Sequence, residues 1–213
     1  MLPTMPSTGL VYENDAPLSA TPYLRQPVMA FAGALGSGLR VLDVGCGNGY
    51  WAAQFSAHGC SAVGIDPSTS GISVARDTYP DIRFECMEAS ADLLEQLGER
   101  PFDIVVSTEV VEHLYDPAAW AAGCYGALRP GGKLILSTPY HGWLKNVAIA
   151  VANKSDFHHN PLRVGGHIKF FSNKALTLLL QTAGFRDEHF VGVGRIPFMW
   201  RSVVVCATRP AIT

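Results

Sequence analysis

The stretch at residues 41–49, Val-Leu-Asp-Val-Gly-Cys-Gly-Asn-Gly, constrains this chain more than any other. An apolar run ends in an acid, three glycines alternate after it, and a helix-like segment opens at Tyr50. Glycine lets a backbone turn sharply after a strand and lets a ligand approach main-chain atoms that a Cβ would shield. The acid narrows the choice of ligand. A turn built for a pyrophosphate offers bare N–H groups at a helix N-terminus to negative charge, and Asp43 would repel that charge. Asp43 suits a ligand carrying a positive amine. The dinucleotide fingerprint G-x-G-x-x-G also fails, because the third glycine arrives one residue early and no second nucleotide-binding half follows.

Around this turn, short β-rich runs alternate with helical windows. The runs are 39–44, 61–65, 82–86, 102–107 and 133–137. Helical windows fall at 50–58, 69–79, 90–97 and 117–128, after a first helix at 23–35 that carries Pro27 early enough to tolerate it. Such alternation implies right-handed crossovers and a parallel sheet with helices on both faces. Arg129-Pro130-Gly131-Gly132 reads as a turn between a helix and the fifth strand. A helix over Asn173–Ala183 is stopped by Gly184, and the runs 185–193 and Ser202–Thr208, with no helix between them, predict an antiparallel hairpin. At 48% hydrophobic content, 213 residues can bury one substantial core, which predicts one domain over 1–213. Residues 1–22, rich in Pro, Ser and Thr, read as an irregular arm, and 140–166 as an insertion or lid on the substrate side.

Sixteen basic against eighteen acidic residues, with no block of like charge, argue against a nucleic-acid backbone as partner. Five scattered cysteines without a C-x-x-C pair predict reduced thiols that pack in the core. No basic-then-apolar leader is visible, and no apolar run reaches the roughly eighteen residues of a membrane span. The expectation is a soluble, cytoplasmic protein.

The acid and alternating glycines at 41–49 resemble the first motif of the class I S-adenosylmethionine-dependent methyltransferases, V-L-D-x-G-x-G-x-G. The resemblance implies S-adenosyl-L-methionine as cofactor, with S-adenosyl-L-homocysteine as product, held at Asp43, Gly45, Cys46, Gly47 and Gly49. It also implies an α/β, Rossmann-like doubly wound sheet of seven strands, five parallel plus a C-terminal antiparallel hairpin, in the order 3-2-1-4-5-7-6. Ligands of open parallel sheets sit beyond the strand carboxyl ends where the strand order reverses, which is where the glycine turn belongs. Asp66 follows Gly49 by seventeen residues and ends the second strand. Its two oxygens can accept both ribose hydroxyls, or they can cap the next helix. After the third strand, Glu88-Ala89 matches the position where the family's acid receives the adenine amine, and Glu85 keeps the register open.

A second signal, Glu109-x-x-Glu112-His113, follows the buried Asp-Ile-Val-Val strand and places two carboxylates and an imidazole within one helical turn. Two hard oxygens, a nitrogen and water can hold a divalent cation such as Mg²⁺. The same residues can instead orient local backbone without metal. The pattern is similar to the E-x-x-E-H of the ubiquinone-biosynthesis (polyprenyl-dihydroxybenzoate and demethylubiquinol) O-methyltransferases, over roughly residues 23–140. That resemblance implies metal ligands Glu109, Glu112 and His113. It implies further cofactor contacts at Thr108 and at Arg25, twenty residues before Gly45, and a phenolic or quinone-precursor oxygen as methyl acceptor.

Glu112, His113 and His167 are the candidate catalytic residues. Histidine titrates near working pH and can take a phenolic proton, and His113 and His167 stand as equal candidates for that role. Further late histidines are His141 and the pair His158-His159, the pair in a polar loop; Ser172 is placed to cap the last helix. The apolar segment 143–152, with Trp143, Lys145 and Lys154 near its ends, can rest on a membrane surface or pack as a lid. The expected reaction is direct displacement onto a small-molecule acceptor, for which the protein supplies alignment and excludes water. Two other readings remain: a different acceptor (amine, thiol, carboxylate or a sugar-containing metabolite), and a cofactor-binding module without catalysis.

Overall fold

The computed structural model describes residues 11–211. One sheet holds β1 (Arg40–Val44), β2 (Ser61–Asp66), β3 (Arg83–Cys86), β4 (Phe102–Thr108), β5 (Leu128–Pro139), β6 (Arg186–Val193) and β7 (Ser202–Thr208), in the order β3-β2-β1-β4-β5-β7-β6. The first five strands pair in parallel, and β7 runs antiparallel to both β5 and β6. This is the expected sheet, with its terminal hairpin. The helices are α1 (Thr21–Ala32), α2 (Tyr50–Ala57), α3 (Thr69–Thr78), α4 (Leu93–Leu97), α5 (Pro117–Ala127), α6 (Trp143–Val151), α7 (Ser155–His159) and α8 (Asn173–Ala183).

The strands are apolar on both faces because successive side chains point to opposite sides. Val41, Ile104, Val106, Ile135 and Val204 pack on Leu24 and Val28 of α1 and on Trp51 and Phe55 of α2. Leu42, Val44, Val105, Leu134 and Leu136 pack the other way, against Leu93 of α4, Trp120 of α5 and Leu176 and Leu180 of α8. Side-chain caps set the starts of α5 and α8. Asp116 accepts from the N–H groups of Ala118 and Ala119 at 3.0 Å each, ahead of Pro117, and Ser172 accepts from Ala175, as its position predicted.

Two expectations change. Helix α1 begins at Thr21 and stops before Gly33, whose φ is 78°, so Pro27 lies within the helix and not in its first turn. The Arg129–Gly132 segment is not a reverse turn: the chain enters β5 straight from α5. A register shift between Phe102 and Ile104 absorbs the irregularity, and Gly131 donates to Arg209 O at 2.9 Å. The segment 140–166 contains α6 and α7. Of the N-terminal arm, 11–20 holds no helix or strand, and the first ten residues lie outside the described ones. Among the described residues no helix is long and apolar enough to cross a membrane.

Candidate active site

The strand order reverses about β1, with β2 on one side and β4 on the other. The glycine turn leaves β1 at this point. Gly45 and Cys46 both donate to Ile65 O, at 2.8 and 2.9 Å, which ties the turn to the carboxyl end of β2. Gly49 sits at φ 83°, and a Cβ there would lie 2.8 Å from the Phe84 ring and 3.0 Å from Ala75. Only glycine fits that conformation and that space. Cys46 is buried, and burial pushes its thiol up, so its side chain packs while its backbone shapes the turn.

Asp43 is 1% exposed. Its Oδ2 accepts from Ala52 N–H at 3.1 Å, and its Oδ1 has no partner among the described residues. Burial, seconded by nearby Asp66, lifts its carboxyl to about 8. A buried, half-satisfied carboxylate is costly unless something completes it. Asp66 is held from behind: Gly47 N–H donates to Oδ2 at 2.9 Å and Ser68 N–H to Oδ1 at 2.7 Å. The cap of α3 is Ser68, which accepts from Gly71 N–H, so the helix-capping alternative for Asp66 is corrected. Each Asp66 oxygen keeps a free lone pair in a fixed direction.

Two further residues escaped the sequence reading. The Tyr12 phenol occupies the space that a Cβ on Gly47 would take, and its ring lies 3.0 Å from the Cβ position of Gly71. Buried Asn48 donates to Asn14 O at 3.0 Å and Ala16 O at 2.9 Å, strapping the arm across the turn. An aromatic in an otherwise Pro/Ser/Thr-rich arm was the available signal. Burial, with Asp66, Cys46 and Asp43 nearby, raises the Tyr12 phenol, so it remains a neutral donor.

Past β3, Glu85 pairs with Arg76 at 3.2 Å and Arg83 at 3.0 Å, whereas Glu88 is exposed and Ala89 half-buried. The ion pairs occupy Glu85 and leave Glu88 free at the strand's end. Thr108 closes β4 opposite Ser137 of β5. Arg25 is exposed on α1 and makes no hydrogen bond or ion pair among the described residues, so nothing here brings it to the turn.

The acidic corner differs from one helical turn carrying three ligands. Glu109 takes a left-handed backbone, φ 56°, which is strained for a residue with a Cβ. Its N–H bonds Ser137 O at 2.9 Å and its Oε1 accepts from Ser137 Oγ at 2.9 Å, so it clamps β4 to β5. The chain then enters a 3-10 turn, Val111–His113. Glu112 is 1% exposed, with Oε2 accepting from Thr138 Oγ1 at 2.9 Å and Oε1 unpartnered among the described residues. Burial and Glu109 raise its carboxyl well above the usual range. Ile168 and Lys169 N–H donate to Glu112 O at 2.9 and 3.0 Å, which swings His167 over His113, ring centroids 4.9 Å apart.

The group that converges is therefore Glu112, His113 and His167, with ligand atoms all within 4.8 Å of one another, and Glu109 stands outside it. One carboxylate and two imidazoles suit a borderline transition metal; Mg²⁺ takes oxygen. The donor set does not fit the expected Mg²⁺. His113 Nδ1 lies 3.2 Å from Gly166 O. A carbonyl only accepts, so Nδ1 carries the proton and Nε2 presents its lone pair. Burial lowers both imidazoles, His167 to about 4, which keeps them neutral at pH 7.

Comparison with known proteins agrees with this fold. The chain is 38% identical over 116 residues to a ubiquinone biosynthesis O-methyltransferase of Bradyrhizobium sp. (strain ORS 278), covering 54% of this chain and 45% of that protein. Against the protein of that name from Dinoroseobacter shibae it is 35% identical over 151 residues, 69% of this chain and 60% of the relative. The chain thus spans about half the length of the curated relatives it matches. An S-adenosylmethionine-dependent methyltransferase structure from Mesorhizobium loti superposes with a TM-score of 0.65 at 21% identity, over 86% of this chain and 96% of that one, which shows the shared fold. Residues 19–189 match the family described as "Methyltransferase domain", and the chain belongs to that family.

Proposed function

We propose that the chain transfers a methyl group from S-adenosyl-L-methionine to an oxygen of a small phenolic or quinone-precursor molecule. The observation that carries this reading is the unpartnered, buried Oδ1 of Asp43 at the glycine turn, an acceptor that a ligand amine completes. Bound there, S-adenosylmethionine supplies an activated methyl on a positively charged sulfur. Asp66 takes the ribose hydroxyls, Glu88 and Ala89 face the adenine, Thr108 flanks the methyl side, and Tyr12 covers the turn and excludes water. On the acceptor side, His113 Nε2 receives the hydroxyl proton, and His167 holds the wall opposite. The O-methyltransferase names of the relatives support oxygen as the nucleophile.

Incubation with methyl-labelled S-adenosylmethionine and a panel of phenols, amines, thiols and carboxylic acids tests this reading. Label on a phenolic oxygen is expected. Label confined to another nucleophile overturns the oxygen assignment, and tight cofactor binding without transfer to any compound overturns catalysis.

The arm gives a second test. Tyr12→Ala is expected to weaken S-adenosylhomocysteine binding about tenfold, through faster release, with an unchanged circular dichroism spectrum. Stopped-flow release at the wild-type rate would contradict the covering role.

The reading extends to peripheral membrane contact through 143–152. Trp143 (76% exposed) and Val151 (84%) on α6, with Phe157 (88%) on α7 and Leu162 (93%) beyond it, leave large apolar side chains bare along this segment. Lys145, expected as a basic anchor, is instead buried, so Lys154 alone of that pair faces out. The intact chain is expected to float with phosphatidylglycerol vesicles and Trp143→Ser/Val151→Ser to stay in solution. Equal recovery would remove the membrane contact.

A further inference from the structure

A second pocket opens beside the acceptor corner, past the carboxyl end of β5. It has a volume of about 300 Å³ and is lined by His141, Asn146, Ile149, Ser155, His159 and Phe170. The sequence reading left His158 and His159 in a polar loop; the fold brings both to His141, with ring centroids 6.0 and 5.9 Å away. Phe170 stands edge-on to His141 at 4.9 Å and to His159 at 4.7 Å, forming an apolar wall. His141 is 8% exposed, Asn146 hydrogen-bonds its ring, and its Nε2 has no partner among the described residues.

The charges that bear directly on the pocket's histidines are cationic, with Glu109 set behind Lys145. None of the lining residues is acidic. Beneath it Lys145 is buried, donating one of its three N–H bonds to Tyr140 O at 2.8 Å. The charges that bear on His141 are Lys145, His158 and His159, and Arg195 joins Lys145 and His159 in bearing on His158. Burial and this cationic company hold the His141 imidazole at about 4. The neutral ring gives its one N–H to Asn146 and turns an Nε2 lone pair into the pocket, so an acidic ligand that passes a proton to Nε2 lies as an anion between the imidazolium and Lys145. Among the described residues Glu109 is the one carboxylate that bears on Lys145, and it is engaged with Ser137. That same Lys145–Glu109 coupling puts the pocket next to the acceptor corner.

We propose that this cavity binds an anionic oxygen group of the methyl acceptor, with His141 as its anchor, Lys145 as the charge behind it and Phe170 against the acceptor's apolar body. The inference rests on the methyl-transfer reading and names its substrate class: acidic small molecules, in preference to neutral or cationic ones. His141 here is a binding residue; the proton of the reacting hydroxyl goes to His113.

Benzoate, inorganic phosphate and benzamide, titrated into the cofactor-loaded full chain and followed by the histidine ring signals in ¹H–¹³C NMR, test the proposal without turnover. Benzoate or phosphate is expected to shift His141 and His159 and to leave the remote His58 unmoved. Saturation by benzoate marks a carboxylate pocket and saturation by phosphate a phosphorylated acceptor. His141→Gln is expected to weaken that anion about tenfold or more, and His58→Gln not at all. Calorimetry with S-adenosylhomocysteine runs alongside: unchanged in His141→Gln, it shows that the fold and cofactor site survive. Benzamide binding as well as benzoate, no anion binding, or wild-type affinity in His141→Gln would overturn the pocket. Failure of S-adenosylhomocysteine to bind wild type would instead strike the methyl-transfer reading itself.

Discussion

Asp43→Asn is expected to weaken capture of S-adenosylhomocysteine by about 30-fold or more and, at the same time, to raise the melting temperature of the ligand-free chain at pH 8. The two effects share one cause. Asp43 is buried with one oxygen bonded to Ala52 N–H and the other unpartnered, and its carboxyl is lifted to about 8 by burial. In the unfolded chain it titrates near 3.8. A folded value above the unfolded one means that the protonated group's stability is fully present below about pH 4 and is lost as pH rises through about 8. Asparagine keeps the acceptor for Ala52 and never ionises. The gain at pH 8 is on the order of 3 kcal/mol, below the full titration difference because the amide is itself a buried polar group. That corresponds to roughly 6–12 °C in Tm for a chain of this size, against almost nothing at pH 4. The cofactor loses a charge-assisted bond to its amine worth about 2–5 kcal/mol, or roughly 30- to 4000-fold in affinity. Calorimetry and a thermal melt at both pH values check the pair. A destabilised Asp43→Asn at pH 8, or one that still binds at wild-type strength, would contradict the assignment.

Gly123→Ala is expected to lose about 3 kcal/mol of stability, whereas Gly126→Ala, three residues along the same helix, gains about 0.5–1 kcal/mol. Both glycines lie in α5. A Cβ on Gly123 would overlap the carbonyl oxygen of Ser90 and lie 3.2 Å from Leu93 Cβ, so α5 and the start of α4 would have to separate. Ser90 O is backbone and cannot swing aside. A Cβ on Gly126 meets nothing within 4 Å and simply improves helix propensity. Urea unfolding of both variants decides. Equal stabilities would mean that the α4–α5 contact is looser than described.

How much of this was legible in the sequence follows from the range of the interactions. The sheet order and the hairpin could be read because strand and helix periodicities are local, and the absence of a helix between β6 and β7 leaves only a hairpin. Asp43, the glycines and Asp66 come together at one crevice because they share one β1–turn–α2–β2 unit, which is local in sequence. The pair of glycines in α5 looks uniform in sequence, and only the approach of Ser90 separates them. Glu109 misled for a definite reason. Helical spacing puts it with Glu112 and His113, but its left-handed φ of 56° breaks the helix and hands its carboxyl to Ser137. The third member of the converging group, His167, is brought in by backbone bonds from Ile168 and Lys169 to Glu112 across more than fifty residues. Tyr12 and His141 are likewise placed by contacts that no window of sequence contains. The Arg129–Gly132 segment reads as a turn by composition, and pairing with Arg209 near the far end of the chain draws it into β5.

A crystal structure of the chain grown with S-adenosylhomocysteine is the most direct test of how the glycine turn is used. The nucleoside is expected across the reversal between β1 and β4, its amine against Asp43 Oδ1, its ribose on Asp66 and the Tyr12 ring above it. Density for the ligand at any other place, or an Asp43 that faces no part of it, would contradict the assignment of this site.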